Sequence, residues 1–268
     1  MRAVYGIISR MSNSALFHRT ELMLGAKTLA RLAATRVAIF GLGGVGSWCA
    51  ESLVRSGVGK LLLVDSDRVA ITNVNRQLMA TTRTEGQVKV EVLAARLREI
   101  NPQVCLDVRP EVYDSTTAAT FGLEGYDYVI DAIDSLSEKA SLIRHALSIP
   151  SVTLFASMGA ALKMDPFQIR ASEFRKIAGD GLARALRTKF KKTGGFPARK
   201  FTCVWSPERR ENLGPAGEEP VAASEPGKPD WNARKARING TVAHTTAVFG
   251  FALAGLVVAD VERRAHAG

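Results

Sequence analysis

Residues Arg36–Gly46 read R-V-A-I-F-G-L-G-G-V-G, a short apolar run that breaks into glycines. The run has the length of a buried strand, and Ser47–Ser56 suits a helix ending near Gly57. A strand that turns through glycines into a helix presents unpaired amides and the positive end of a helix dipole, where phosphates bind. In this reading Gly41 makes the tight turn, Gly43 and Gly44 cradle a phosphate, and Gly46 permits close helix–strand packing. Asp65 ends the next apolar run, Lys60–Val64, at the spacing expected of an acid that holds a ribose hydroxyl. The alternative is a glycine turn needed for packing alone. The motif marks a nucleotide but does not choose among NAD, FAD and ATP.

Working outward, strands and helices alternate. A helix is expected over Leu16–Ala33, with Leu22, Leu29 and Leu32 on one side, and another over Glu85–Ile100, stopped by Asn101-Pro102. Further strands are expected at Val104–Val108, Tyr128–Asp131 and Ser151–Ala156, with helices at Ser115–Phe121 and Leu136–Leu147. This order predicts an α/β fold: a doubly wound, mostly parallel Rossmann-like sheet with helices on both faces. Residues 1–158 form the nucleotide core, and 159–268 a C-terminal extension for substrate binding or dimerisation. In the extension, Pro166–Arg170 reads as a strand, Gly181–Phe190 as a basic helix and Phe201–Trp205 as a strand. Ser206–Asp230 is rich in Pro, Gly, Glu and Ala and reads as a mobile loop.

The loop after Asp65 holds Asp67, Asn73, Asn75, Arg76 and Gln77, and Lys89 opens the helix that follows. A dehydrogenase has no need of so many amide, guanidinium and ammonium groups beside its pyrophosphate. Attack on the α-phosphate of ATP does, because charge develops there and on the leaving pyrophosphate. Asp131 and Asp134 end a strand on the same sheet edge, where carboxylate oxygens suit magnesium bridging a triphosphate. ATP and Mg2+ are therefore the expected ligands.

These motifs, G-x-G-G-x-G-S, D-x-D-x-V, N-x-N-R-Q, a Lys and D-x-x-D-S, resemble the family of ubiquitin-activating and sulfur-carrier-activating enzymes. The resemblance implies adenylation of a carboxylate with ATP and magnesium, usually by a homodimer. It implies that Asp65 binds the ribose, that Asn73, Arg76 and Lys89 contact phosphates, and that Asp134 orients magnesium. Arg19, in F-H-R-T, matches an arginine that reaches the partner subunit's ATP. Sulfur-carrier activators typically carry two C-x-x-C pairs, which this chain lacks. Another branch, the tRNA threonylcarbamoyladenosine dehydratases, is similar in G-G-V-G-S-W, in V-I-D-A-I-D-S with the following Lys139, and in Cys203–Glu208. There ATP activates a carboxylate on adenosine 37 of certain tRNAs, and a nitrogen closes on it to give a ring. The alternative is activation of a small ubiquitin-like sulfur carrier. An accessory sulfur-transfer or redox protein stays open as a partner.

Composition sets the remaining bounds. The 268 residues carry a formal charge of +10, with 46% hydrophobic residues, as in a globular protein with a polyanionic partner or a solvated basic surface. Arg184, Arg187, Lys189, Lys191, Lys192, Arg199 and Lys200 surround Phe190, Phe196 and Phe201. Such a cluster can line an RNA backbone while an aromatic stacks on a base, or it can be a solvated helix with core phenylalanines. Three scattered cysteines exclude a disulfide scaffold and a zinc pair, and a cytoplasmic setting is expected. Cys203 reads as an apolar filler rather than a nucleophile, while Cys49 and Cys105 are expected to be buried. No signal peptide is expected at the N-terminus. The apolar stretch Val242–Val261 reaches the length of a bilayer span, but the sheet needs covering helices, so a buried helix is favoured over membrane contact.

Overall fold

The computed structural model of the protein describes residues 13–214 and 239–267. Seven strands form one sheet: β1 (Arg36–Phe40), β2 (Lys60–Val64), β3 (Cys105–Arg109), β4 (Tyr128–Asp131), β5 (Thr153–Ser157), β6 (Arg170–Glu173) and β7 (Thr202–Trp205). Their order is β3-β2-β1-β4-β5-β7-β6, all parallel except β6, which pairs antiparallel with β7 at the edge. The order reverses between β1 and β4, and ligands of open parallel sheets gather where that crevice opens.

Helices cover both faces. Short pieces α1 (Asn13–Leu16), α2 (His18–Leu24) and α3 (Ala26–Ala34) precede β1, and α4 (Gly46–Arg55) and α5 (Lys89–Ile100) follow β1 and β2. On the other face lie α6 (Leu136–Ser148) and α7 (Gly181–Lys192), while α8 (Ala243–His266) returns to pack beside α4. Strand β1 divides its side chains accordingly. Val37 and Ile39 join the cluster with Leu53, Leu93 and Leu253, and Ala38 and Phe40 join Leu142, Ile143 and Leu186. Alternation along a doubly covered strand makes every position apolar, which is why R-V-A-I-F reads as a continuous run.

The structure corrects several expectations. The single helix expected over Leu16–Ala33 breaks at Phe17 and again at Gly25, whose φ of 80° an L side chain rarely adopts. Leu22 consequently faces solvent, while Leu32 is enclosed. Ser115–Phe121 contains only the 3-10 turn Ala118–Phe121, and Pro166–Gln168 is a 3-10 turn ahead of β6 rather than part of a strand. Residues after 158 also complete the main sheet, since β7 pairs with β5. Of the loop expected over 206–230, positions 215–230 lie outside the described residues.

Helix α8 is long and apolar enough to cross a bilayer by length and composition. Its Phe249, Leu253, Val257 and Val261 are nevertheless buried in the core, and a Cβ on Gly250 would lie 2.5 Å from the Val45 carbonyl oxygen. This is a core helix pressed against α4.

Candidate active site

The parallel strands deliver Gly41, Asp65, Asp131 and the segments after β5 and β7 to one edge of the sheet. Two of the loop glycines are dictated by the protein itself. A Cβ on Gly41 would stand 2.7 Å from the Ala132 carbonyl oxygen, and one on Gly46 would stand 1.9 Å from the Gly41 oxygen. Gly44 is closed off by Thr246 of α8, 3.1 Å from a Cβ placed there. Gly43 differs, because a Cβ would meet only Gln77 Nε2 at 3.8 Å. The loop therefore turns tightly behind and stays open in front, at the amino end of α4.

The acid and the ammonium stand beside this opening. Asp65 Oδ2 accepts from the Leu42 amide at 2.7 Å and Oδ1 from the Asp67 amide at 2.9 Å, which fixes the carboxylate against the loop. Burial raises the Asp65 pKa, opposed by Lys89 and by those two amides. Lys89, at the first position of α5, places Nζ 2.8 Å from Asp67 Oδ2. Burial works to lower its pKa, but Asp65, Asp67 and Asp134 outweigh that and hold it above the ordinary lysine value. Asp65, Asp67 and Lys89 come from neighbouring stretches of the chain, and the fold adds Asp134 from beyond β4.

The intervening loop is braced from several directions. Arg76 Nη1 donates to the Thr72 carbonyl oxygen at 2.8 Å and to Asn75 Oδ1 at 3.0 Å. Trp48 Nε1 donates to the Arg76 carbonyl oxygen, and the Ser47 hydroxyl joins the Gly43 carbonyl to the Leu78 amide. Asn73 Oδ1 accepts from the Ala70 amide, so its side chain shapes the loop. Gln77 Oε1 is buried with no hydrogen-bond partner among the described residues, beside the open face of Gly43. A buried amide oxygen without a partner is costly, and a bound ligand would satisfy it.

Asp131 and Asp134 part company. Asp131 is fully enclosed, its Oδ2 2.9 Å from the equally enclosed Lys139 Nζ and its Oδ1 accepting from the Ile133 amide. Burial raises its pKa against the pull of Lys139. The last residue of a covered strand points into the core, so Asp131 is unsuited to magnesium. Asp134 is exposed and close enough to act on Lys89. No group of three His, Cys, Asp or Glu gathers among the described residues. One carboxylate still fits magnesium, which takes most of its oxygens from substrate phosphates and water.

Arg19 is exposed on α2, two residues after Phe17, which packs near Gly57 ahead of β2. The basic cluster also divides. Arg187 donates to the carbonyls of Phe174 and Ile177, and Arg199 to those of Ile149 and Val152 at 2.6 and 2.9 Å. Both arginines tie loops together, and Arg187 does so through Nη2. Lys189 reaches the Ser137 hydroxyl at 3.3 Å, while Lys191, Lys192 and Lys200 are exposed. Phe190 and Phe201 are buried and Phe196 is half-buried, so Phe190 and Phe201 cannot stack on a base. Cys203 is enclosed and burial pushes its thiol well up, as expected of a filler, whereas Cys105 is exposed on the edge strand β3, contrary to expectation.

Sequence reasoning missed Thr246, which closes the loop at Gly44, and Thr241, whose carbonyl oxygen accepts from Asn75 Nδ2 at 3.0 Å. Both lie far along the chain from their partners, and no local pattern marks such contacts. Only Ser47, inside the glycine motif, carried a visible signal.

Known proteins resemble this chain in sequence and fold. The model of the ThiF family matches residues 18–261. The chain is 44% identical to the tRNA threonylcarbamoyladenosine dehydratase of Bacillus subtilis over 178 residues, 66% of this chain and 70% of that one. It is 39% identical to the Escherichia coli protein of the same name over 199 residues, 72% of this chain and 73% of that one. The crystal structure of E. coli tRNA N6-threonylcarbamoyladenosine dehydratase, TcdA, in complex with ATP superimposes with a TM-score of 0.80 at 32% identity, covering 95% of this chain and 98% of that chain. By match, geometry and relatives alike, the chain belongs to the ThiF family.

Proposed function

We propose that this protein catalyses the ATP-dependent dehydration of threonylcarbamoyladenosine at position 37 of tRNA, through adenylation of its carboxylate. The observation that carries the reading is the open face of Gly43 beside Gln77, with Asp65, Lys89 and Asp134 gathered around it. Similarity to dehydratases of that name, one solved with ATP, supports it.

The chemistry follows from the residues. ATP lies with its phosphates over Gly41, Gly43, Gly44 and Gly46 at the α4 amides, and Asp65 accepts from the ribose hydroxyls. Arg76, Lys89, Asn73 and Gln77 address the phosphate oxygens as the substrate carboxylate attacks the α-phosphate and pyrophosphate leaves. Asp67 holds the Lys89 ammonium in place. Asp134 would hold a magnesium ion, which would supply further neutralisation of the triphosphate. The carbamoyl nitrogen then attacks the activated carbonyl, AMP departs with the carboxylate oxygen, and a ring remains.

The exposed Lys191 and Lys192, with Lys189 and Lys200, provide the sequence-independent attraction to the tRNA backbone. The active unit is a homodimer in which Arg19 serves the partner's ATP, and residues 159–268 carry substrate binding and dimerisation. We place it in the cytoplasm. The deciding experiment is incubation of the purified protein with ATP, magnesium and tRNA bearing threonylcarbamoyladenosine, followed by nucleoside mass spectrometry. Conversion that instead requires a ubiquitin-like carrier would favour the sulfur-carrier alternative.

A further inference from the structure

The segment after β5 presents an aromatic ring to solvent at the ligand edge of the sheet. Phe167, in the 3-10 turn Pro166–Gln168, is 94% exposed, and Met164 nearby is 47% exposed. A lone exposed phenylalanine is ordinary on a protein surface. This one sits on a turn that the fold holds from several sides. Asp165 caps it, Oδ1 accepting from the Phe167 amide at 2.9 Å and Oδ2 from Gln168 Nε2 at 3.0 Å. Glu208 Oε2 accepts from the amides of Met164 and Asp165 at 2.7 and 2.9 Å. The buried Lys163 Nζ donates to the carbonyls of Ser206 and Glu208.

Two features connect this turn to the site. Its base is tied to the start of α8, since Leu162 donates to the Gly240 carbonyl, Thr245 to the Lys163 carbonyl, and His244 Nε2 meets the Met164 carbonyl oxygen. Thr246, next along α8, closes the glycine loop. Three arginines also lie on the elements joined to the turn, among the acids Asp165 and Glu208. Arg170 lies over the Trp205 ring at 5.2 Å, with Arg209 and Arg210 exposed on the strand-end segment that Glu208 joins to it. Asp165 and Glu208 are engaged by amides, Glu208 Oε1 also pairs with Arg210 Nη1 at 3.8 Å, Arg209 Nε donates to the Gly179 carbonyl oxygen at 2.9 Å, and Glu211 is the next acidic residue along. An exposed aromatic on a braced turn beside guanidinium groups suits an unpaired base and its phosphates, which recognition of single-stranded RNA requires.

We propose that Phe167 stacks on an unpaired base next to the modified adenosine, with Arg170, Arg209 and Arg210 contacting the adjoining phosphates. Glu208, in the C-V-W-S-P-E stretch that the adenylation chemistry leaves unused, is the positioning residue that holds the turn. The inference rests on the tRNA reading above and adds the element that orients the anticodon loop.

The test uses an anticodon stem-loop RNA carrying 2-aminopurine beside the adenosine, titrated with the full chain. Phe167→Ala should weaken binding about tenfold or more and abolish the 2-aminopurine quenching, whereas Phe167→Trp should keep both. Glu208→Ala should weaken binding likewise, and adding Phe167→Ala to it should cost nothing further, which a purely structural defect would not produce. Thermal stabilisation by ATP reports that each variant is folded. Unchanged affinity and quenching in Phe167→Ala would overturn the inference while leaving the tRNA reading intact. A wild-type chain that binds no RNA and converts none would overturn both.

Discussion

The Lys89 ammonium lies 2.8 Å from the Asp67 carboxylate and is held there at 5% exposure, with Asp65 and Asp134 adding their fields. Arg76 is only half-buried and bonds to the Thr72 carbonyl and Asn75. The two cations therefore differ in what their removal does. Lys89→Ala leaves carboxylates facing one another without their cation and should cost roughly 1–3 kcal/mol of stability, the lower end reflecting Asp67's solvent contact. Arg76→Ala should cost less than about 1 kcal/mol. Both should slow ATP–pyrophosphate exchange by about a hundredfold or more. Chemical denaturation alongside exchange kinetics separates the two effects, and an Arg76→Ala protein with full exchange activity would remove Arg76 from the phosphate site.

The glycine loop supports a sharper contrast. Gly46→Ala brings a Cβ within 1.9 Å of the Gly41 oxygen, so the loop must deform and the protein should lose both stability and nucleotide. Gly43→Ala meets nothing closer than 3.8 Å within the protein. It should fold with a near-native melting temperature yet bind ATP at least about tenfold more weakly, because the methyl group occupies the phosphate's approach. Calorimetric ATP titration of the two variants checks this; normal affinity in Gly43→Ala would place the phosphates elsewhere.

Glu51 ties α4 to α5. Its Oε2 lies 2.6 Å from Arg96 Nε and its Oε1 2.8 Å from Arg55 Nε. Burial works to raise its pKa, but the two guanidinium groups prevail and hold it below the ordinary value of 4.5. A carboxylate with a lowered folded pKa contributes stability that is present above the unfolded value and lost as pH falls through the folded one. Glu51→Ala should therefore be less stable than the wild type by about 1 kcal/mol near pH 7. That difference should shrink below pH 4.5, the range in which the carboxylate takes up a proton. Melting curves of both proteins across that range decide it, and a constant difference would mean that charge is not the cause.

Lys191 and Lys192 end α7 and face solvent. Changing both to Glu should weaken tRNA binding and make log affinity fall less steeply with log salt, by about one unit of slope for each phosphate no longer neutralised. Binding isotherms at several salt concentrations give the slope. An unaltered slope would place the tRNA backbone on another surface.

The glycine loop, Asp65 and Lys89 were legible because their spacing is local and each sits where a parallel strand hands over to a loop. Residues whose role depends on distant partners were not. D-A-I-D looks like a carboxylate pair, yet the strand turns Asp131 inward to Lys139 and leaves only Asp134 outside. Arg187 and Arg199 look like surface charge, yet their guanidinium groups end on carbonyls of neighbouring loops. Phe190 and Phe201 look like stacking residues beside a basic run, but amphipathic packing takes them into the core, while Phe167 is exposed at the ligand edge. Gly25 interrupts a helical pattern because its backbone, rather than the hydrophobic spacing, sets the break.

In the proposed reaction a carboxylate is activated by ATP and closed into a ring on tRNA. Its most direct test is the mass of the modified nucleoside after reaction with purified protein, ATP and magnesium. The wild-type protein should give a product lighter by one water, formed with one AMP and one pyrophosphate, and formed more slowly by Gly43→Ala at limiting ATP. An unchanged nucleoside, with pyrophosphate exchange stimulated only by a ubiquitin-like carrier protein, would contradict it.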